Sequence, residues 1–125
     1  MINVIGIGQN RENMTLGAVK AIEEGKIECI SKEVEEEYYN YVLGCMLRKD
    51  IFTKEGLKIV YSPLNGTGWK FVPAILKEIG VKDLIIVDEQ YAPDGNFPTC
   101  PYPNPEKREA LSLGLEYAKK HDADV

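Results

Sequence analysis

The sequence predicts an α/β fold, a three-layer α/β/α domain on a mixed, largely parallel sheet. Three observations predict it. Residues 57–62, Leu-Lys-Ile-Val-Tyr-Ser, are a short, apolar and partly β-branched run that stops at Pro63 and enters the turn Asn65-Gly66-Thr67-Gly68. Such a run suits a buried strand, and a residue without an amide hydrogen ends its ladder. Residues 84–88 are a second, continuous apolar run, as expected for a parallel strand covered on both sides. The segments around these runs carry apolar residues at spacings of three and four, the pattern of helices that lay one face on a sheet.

Residues 1–30 carry no single pattern and are read as a linker or N-terminal segment, with the domain proper over residues 31–125. Within that segment Val4 to Gly8 fits a short strand, and Leu16 to Ile22 fits a turn or two of helix ended by Gly25. Lys26 to Ile30 alternates as extended chain does. A helix is predicted over residues 32–49, with Ser31 as its cap, glutamates 33 and 35–37 at the positive end of the dipole, and Arg48 and Lys49 at the negative end. Val34, Tyr38, Tyr41, Val42 and Cys45 share one face of it; the aromatic stripe is read as core packing rather than a ligand box.

Strand 57–62 then leads through the glycine turn into a helix ending at Ile79, with Gly80 as its left-handed stop. Phe71, Ile75, Leu76 and Ile79 define its buried face. Pro73 requires that this helix either begin close to Pro73 or open from Gly68 with an irregular first turn. Residues 89–105 form a loop with five prolines, long enough to be a working surface. Asn104-Pro105 reads as a cap and first turn, opening a last helix that runs to about His121 with Ala110, Leu111, Leu113, Leu115 and Ala118 mostly inward.

Bulk properties remove several classes of function. A chain of 125 residues is one domain by length, and a net charge of −5 argues against a nucleic-acid partner. No apolar run is long enough to span a membrane, and no basic segment precedes an apolar one at the N-terminus, so cytoplasmic placement is expected. Cys29, Cys45 and Cys100 are odd in number and scattered, which fits reduced thiols.

The chemistry-bearing residues are few. Gly6-Ile7-Gly8 and Gly66-Thr67-Gly68 both start like a dinucleotide fingerprint, but Arg11 and Phe71 stand where the third glycine belongs. His121 is the single histidine, so neither a catalytic triad nor a histidine-rich metal site can be assembled; it is placed in a last helical turn. Asp88 and Glu89 leave a strand end where acid–base groups of α/β enzymes project, although solvated turn residues are the commoner use of that position. Asp94-Gly95-Asn96 is first a turn. Asp122 and Asp124 alone make no metal cage. Ser62 and the three cysteines lack an activating base, so no catalytic residue is assigned. Gly66 and Gly68 either make a tight turn without a ligand or bring backbone amides beside a phosphate.

Three segments in order carry a resemblance: Ser62 to Gly68, Pro93 to Thr99 and Tyr102 to Glu106. They resemble the second domain of the α-D-phosphohexomutases, the phosphoglucomutase and phosphomannomutase family, over roughly residues 27–125. Family members often carry histidine where this chain has Asn65; an amide hydrogen-bonds but does not titrate near neutrality. The resemblance implies reversible phosphoryl transfer between C1 and C6 of a hexose phosphate through a phosphoserine enzyme, with Mg²⁺ as cofactor. It also implies that the phosphoserine loop lies in a preceding domain and the metal loop beyond Val125. The chain is thus expected to be a partial second domain, inactive by itself, with the other mutase domains and a hexose phosphate as partners. Asn65, Gly66, Thr67 and Gly68 are the candidate phosphate-proximal loop, and no metal ligand is assigned. A sheet edge left open near Asp124 is expected to be covered by a dimer, by exchange between copies, or by Val4 to Ile7. The alternative is a non-catalytic α/β module that binds a small phosphorylated ligand or a protein.

Overall fold

The computed structural model describes residues 11–48 and 50–125. The chain divides into two units, Met1–Tyr38 and Tyr39–Val125. The expectations for Val4 to Gly8 fall outside the described residues.

In the first unit, helix α1 covers Arg11–Glu23, longer than the turn or two expected. It closes through Gly25, whose φ is 67°. The Gly25 amide donates to Ile22 O (3.0 Å) and the Lys26 amide to Ala21 O (2.8 Å), so two otherwise orphaned carbonyls are satisfied. Helix α2, Lys32–Gly44, starts just after Ser31, as the capping pattern predicts. The Ser31 side chain also holds the Glu33 carboxyl below its usual range.

Two expectations for α2 fail. The helix stops at Gly44, short of residue 49, because glycine propagates a helix poorly and the next amides turn back on Tyr41, Val42 and Leu43. Arg48 therefore does not sit at the helix end, and Cys45 lies beyond it. Nor is the apolar stripe core: no residue of α2 is buried, and Tyr41 is 73% exposed. Periodicity shows that a face is apolar; it does not supply the surface that covers it.

The second unit holds the sheet. A short helix not foreseen from the sequence, α3 (Ile51–Glu55), ends on Gly56 in the left-handed region. Five residues are too few to show helical periodicity. Strand β1 (Lys58–Tyr61) and strand β2 (Asp83–Ile86) pair in parallel, with Lys58 opposite Asp83 and Tyr61 opposite Ile86. Helix α4 (Gly68–Glu78) connects them and packs on β2. It opens at Gly68 rather than near Pro73, so Pro73 sits inside it, buried, and Trp69 O has no i+4 amide to accept. Gly80 closes it as predicted, at φ 101°, with Gly80 N donating to Lys77 O and Val81 N to Leu76 O. A β-carbon on Gly80 would lie 2.5 Å from Thr53 Cγ2, so α3 also needs this glycine.

Beyond β2 a single 3₁₀ turn, Asp88–Gln90, starts the long loop. Helix α5 (Ser112–His121) packs on β1. It begins later than expected. Asn104 caps only a turn, its Oδ1 accepting from the Glu106 amide (2.9 Å), and successive i+3 turns carry the chain from Asn104 to Ser112. Ala110 is buried within those turns, whereas Leu111 and Leu115 are exposed rather than inward. The outer edge of β1 is occupied by the chain's own Asp124 and Val125. Val60 N donates to Val125 O (2.8 Å) and Asp124 N to Lys58 O (2.9 Å).

The strands are half-buried, not covered on both sides, and the core is small. Val81 and Val87 are buried, and Leu64, Cys100 and Ala110 form one cluster under the loops. Cys29 and Cys45 are exposed free thiols and Cys100 a buried one. Among the described residues no helix is long and apolar enough to cross a membrane.

Candidate functional site

Because β1 and β2 are parallel, the loops that follow them emerge at the same edge of the sheet. The first contains the candidate residues. Its left-handed positions are Leu64 (φ 51°) and Asn65 (φ 55°), and neither Gly66 nor Gly68 has a positive φ. Gly66 and Gly68 are needed for space instead. A β-carbon on Gly66 would meet Pro63 O at 2.9 Å, and one on Gly68 would meet Tyr61 Oη at 2.5 Å. The neighbour that Gly68 admits is thus a side chain of β1. Burial raises the pKa of that same Tyr61 phenol.

The four candidates separate by burial. Asn65 is 6% exposed. Its Nδ2 donates to Ala92 O (2.8 Å) and, longer, to Glu89 O (3.4 Å), while its backbone amide donates to Gln90 O (2.7 Å). Its Oδ1 is buried without a hydrogen-bond partner. Thr67 is exposed and precedes α4 without capping it through its side chain. Gly66 and Gly68 are half-buried. The outward surface of this loop is Thr67 and the first turn of α4, whose leading amides have no intrahelical acceptor.

A buried amide that the sequence reading passed over organises the second loop. Gln90 is 1% exposed. Its Oε1 accepts from Ser62 Oγ (2.7 Å) and its Nε2 donates to Thr99 Oγ1 (3.0 Å). Ser62 Oγ in turn accepts from the Leu64 amide (3.0 Å), which explains the serine before Pro63 without any nucleophilic role. Asp94 N donates to Asn65 O (3.2 Å), and Asp94 Oδ1 accepts from the Asn96 amide, the turn that Asp94-Gly95-Asn96 predicts. Nothing in the local sequence marks Gln90. A glutamine after two acidic residues looks like surface, and only the folding back of residues 62 and 99 buries it.

Asp88 and Glu89 are exposed, as turn residues are. Glu89 is nonetheless held: Tyr117 Oη donates to Glu89 Oε2 at 2.7 Å. That bond, first among the causes, lowers the Glu89 pKa and raises that of Tyr117. His121 ends α5 as predicted, its ring 6.1 Å from that of Tyr117 and its carbonyl accepting from Lys58 Nζ. Trp69, at the start of α4, meets Tyr91 edge-on with ring centres 5.7 Å apart. Among the described residues no three His, Cys, Asp or Glu side chains gather where they could hold a metal ion.

A parallel βαβ core with its loops gathered at one edge defines the class as α/β. Residues 36–125 match the family described as Phosphoglucomutase/phosphomannomutase, alpha/beta/alpha domain II. Curated relatives agree. A phosphomannomutase of Mycoplasmoides pirum is 36% identical over 105 residues, covering 84% of this chain and 19% of that protein. A phosphoribomutase of Saccharomyces cerevisiae is 35% identical over 115 residues (85% and 18%), and a phosphoglucomutase of Staphylococcus saprophyticus is 36% identical over 104 (83% and 18%). The chain spans less than a fifth of the length of these relatives. No solved structure matches it. The chain belongs to the phosphoglucomutase/phosphomannomutase family, within its α/β/α domain II.

Proposed function

We propose that this chain serves as the second domain of a sugar-phosphate mutase that moves a phosphoryl group reversibly between C1 and C6 of a hexose phosphate. The family match across residues 36–125 carries this reading, since it includes β1, its loop, α4 and the second loop in one stretch. In this reading the Asn65–Gly68 segment lines the phosphate side of the site. Thr67 and the leading amides of α4 are the groups on offer, because Asn65 is spent on the second loop. The partners are the remaining domains of the enzyme and the sugar phosphate, in the cytoplasm. The β1 edge beyond Val60 is where a further strand adds, from the rest of the protein or from a second copy.

Mg²⁺ belongs to this chemistry, where it offsets charge on the moving phosphoryl group. This chain's own side chains do not fit that role. Its described carboxylates do not converge, and Asp124 gives Oδ2 to the Lys58 amide (2.9 Å). The reading assigns the ion to another part of the enzyme.

Assaying the whole protein that carries this sequence with glucose 1-phosphate, mannose 1-phosphate and Mg²⁺ tests the activity. Turnover to the 6-phosphate supports the mutase. Saturable binding without turnover supports a non-catalytic phosphate-binding module instead. Titrating the chain with inorganic phosphate while following amide resonances tests the loop. The Thr67 to Lys70 amides are expected to shift first; shifts confined elsewhere overturn the assignment.

A further inference from the structure

We propose that Gln90 is the centre of a buried latch that makes the loops after β1 and β2 a single cooperative element, so that a change at one is felt at the other. The hydrogen bonds run as a directed chain. Leu64 N–H donates to Ser62 Oγ, the Ser62 hydroxyl to Gln90 Oε1, and Gln90 Nε2 to Thr99 Oγ1. A second set runs alongside it, with Asn65 N to Gln90 O, Asn65 Nδ2 to Ala92 O and Asp94 N to Asn65 O. Four of these six bonds join residues 62–65 to residues 90–94, and the other two tie Leu64 to Ser62 and Gln90 to Thr99 within their own loops.

Three features make the arrangement a latch rather than ordinary packing. Gln90 is almost completely buried, so each of its bonds replaces water it cannot reach. Leu64 and Asn65 are consecutive non-glycine residues in the left-handed region, a conformation that persists only where surrounding contacts impose it. For Asn65 those contacts come from the second loop, whereas Leu64 is held by Ser62 of its own loop and by packing on Cys100 and Ala110. The apolar cluster repeats the coupling, since Leu64 from the first loop packs with Cys100 from the second.

A consequence follows for the function proposed above, and rests on that reading. Gln90 is then a positioning residue: it touches no ligand but sets the backbone that leads into Thr67 and α4. A phosphate held at the first loop also orders residues 94–100, the loop with the larger exposed surface.

Amide hydrogen exchange on the unliganded chain tests the latch and does not depend on the mutase reading. Gln90→Ala risks unfolding, so the informative variant is Thr99→Val, which keeps shape and removes the hydroxyl that accepts from Gln90 Nε2. The expected result is faster exchange, about 5-fold for one lost hydrogen bond, at the Leu64 and Asn65 amides as well as at Phe97 and Cys100. The Val60 and Val87 amides keep their rates. Loosening of residues 97–100 alone, uniform loosening of all amides, or no change overturns the proposal. A second variant, Gln90→Glu, carries a chemical signature. Protonated, its carboxyl can donate to Thr99 and accept from Ser62 as the amide does; ionised, it has no proton to give. Loop protection is expected to return as pH falls through the carboxyl's titration. Protection that is the same on both sides of it counts against the hydrogen-bond mechanism.

Discussion

Gly68 lies against the tyrosine that ends β1, and the approach is testable. Gly68→Ala puts a methyl group 2.5 Å from Tyr61 Oη, so the ring or the helix start must move. Overpacking of this kind costs about 1–3 kcal/mol. Tyr61→Phe removes the oxygen responsible, and the Gly68→Ala/Tyr61→Phe pair should recover most of the loss in urea denaturation; additive losses would place the clash elsewhere. A second residue-level prediction concerns Glu89 and Tyr117. The folded chain lowers the Glu89 pKa, mainly through the Tyr117 hydroxyl, so the contribution of their bond is complete above the ordinary glutamate range and lost as pH falls through the lowered value. The raised pKa of Tyr117 works in the opposite sense: the contribution is complete below the ordinary tyrosine range and lost as pH rises. The stability gap between the native chain and Tyr117→Phe should therefore be flat from about pH 6 to 9 and narrow on either side. A gap that widens in acid contradicts the assignment.

At the scale of elements, the sheet has two edges on β1 and they are held differently. The inner edge carries the β2 ladder, extended by the Val87 amide on Tyr61 O (3.0 Å). The outer edge depends on Asp124 and Val125, with the Asp124 carboxylate also accepting from the Lys58 amide. Deleting these two residues should speed exchange of the Val60 amide about 10-fold, the equivalent of one hydrogen bond of 1.4 kcal/mol, and leave the Val87 amide unchanged. Equal effects at both would mean that the edge residues stabilise the whole sheet rather than their own ladder. Much of this level was readable in the primary structure. Strand β1, the parallel strand after it, the Gly25 and Gly80 stops and the start of α2 after Ser31 all follow from local chemistry. The length of α2 and the start of α5 do not. Gly44 ends α2 although its periodicity continues to Cys45, and the stretch after Asn104 closes i+3 turns where an α-helix was expected.

For the whole molecule, phosphoryl transfer needs a nucleophile, charge neutralisation and exclusion of water. The 125-residue chain presents neither an activated nucleophile nor converging carboxylates among its described residues. Purified by itself, it should not convert glucose 1-phosphate to glucose 6-phosphate in a coupled assay, and any turnover would locate a nucleophile here after all. Calorimetry with Mg²⁺ should show no saturable site of micromolar affinity; one such site would reveal ligands that the fold brings together on binding.

The sequence by itself determined the fold class and the family, because both rest on short-range chemistry. A β-branched run, a proline stop and two glycines within a dozen residues can form only a few structures, and three ordered motifs repeat that constraint along the chain. Tertiary structure alone decided what the site residues do. Asn65 was a loop residue until residues 89–92 folded over it, and Gln90 was a surface glutamine until Ser62 and Thr99 closed on it. Gly66 and Gly68 read as sources of backbone freedom, yet Leu64 and Asn65 take the left-handed angles while the glycines make room for Pro63 and Tyr61. Burial and close approach depend on which distant segments meet, and a linear pattern of residue types carries no record of that meeting.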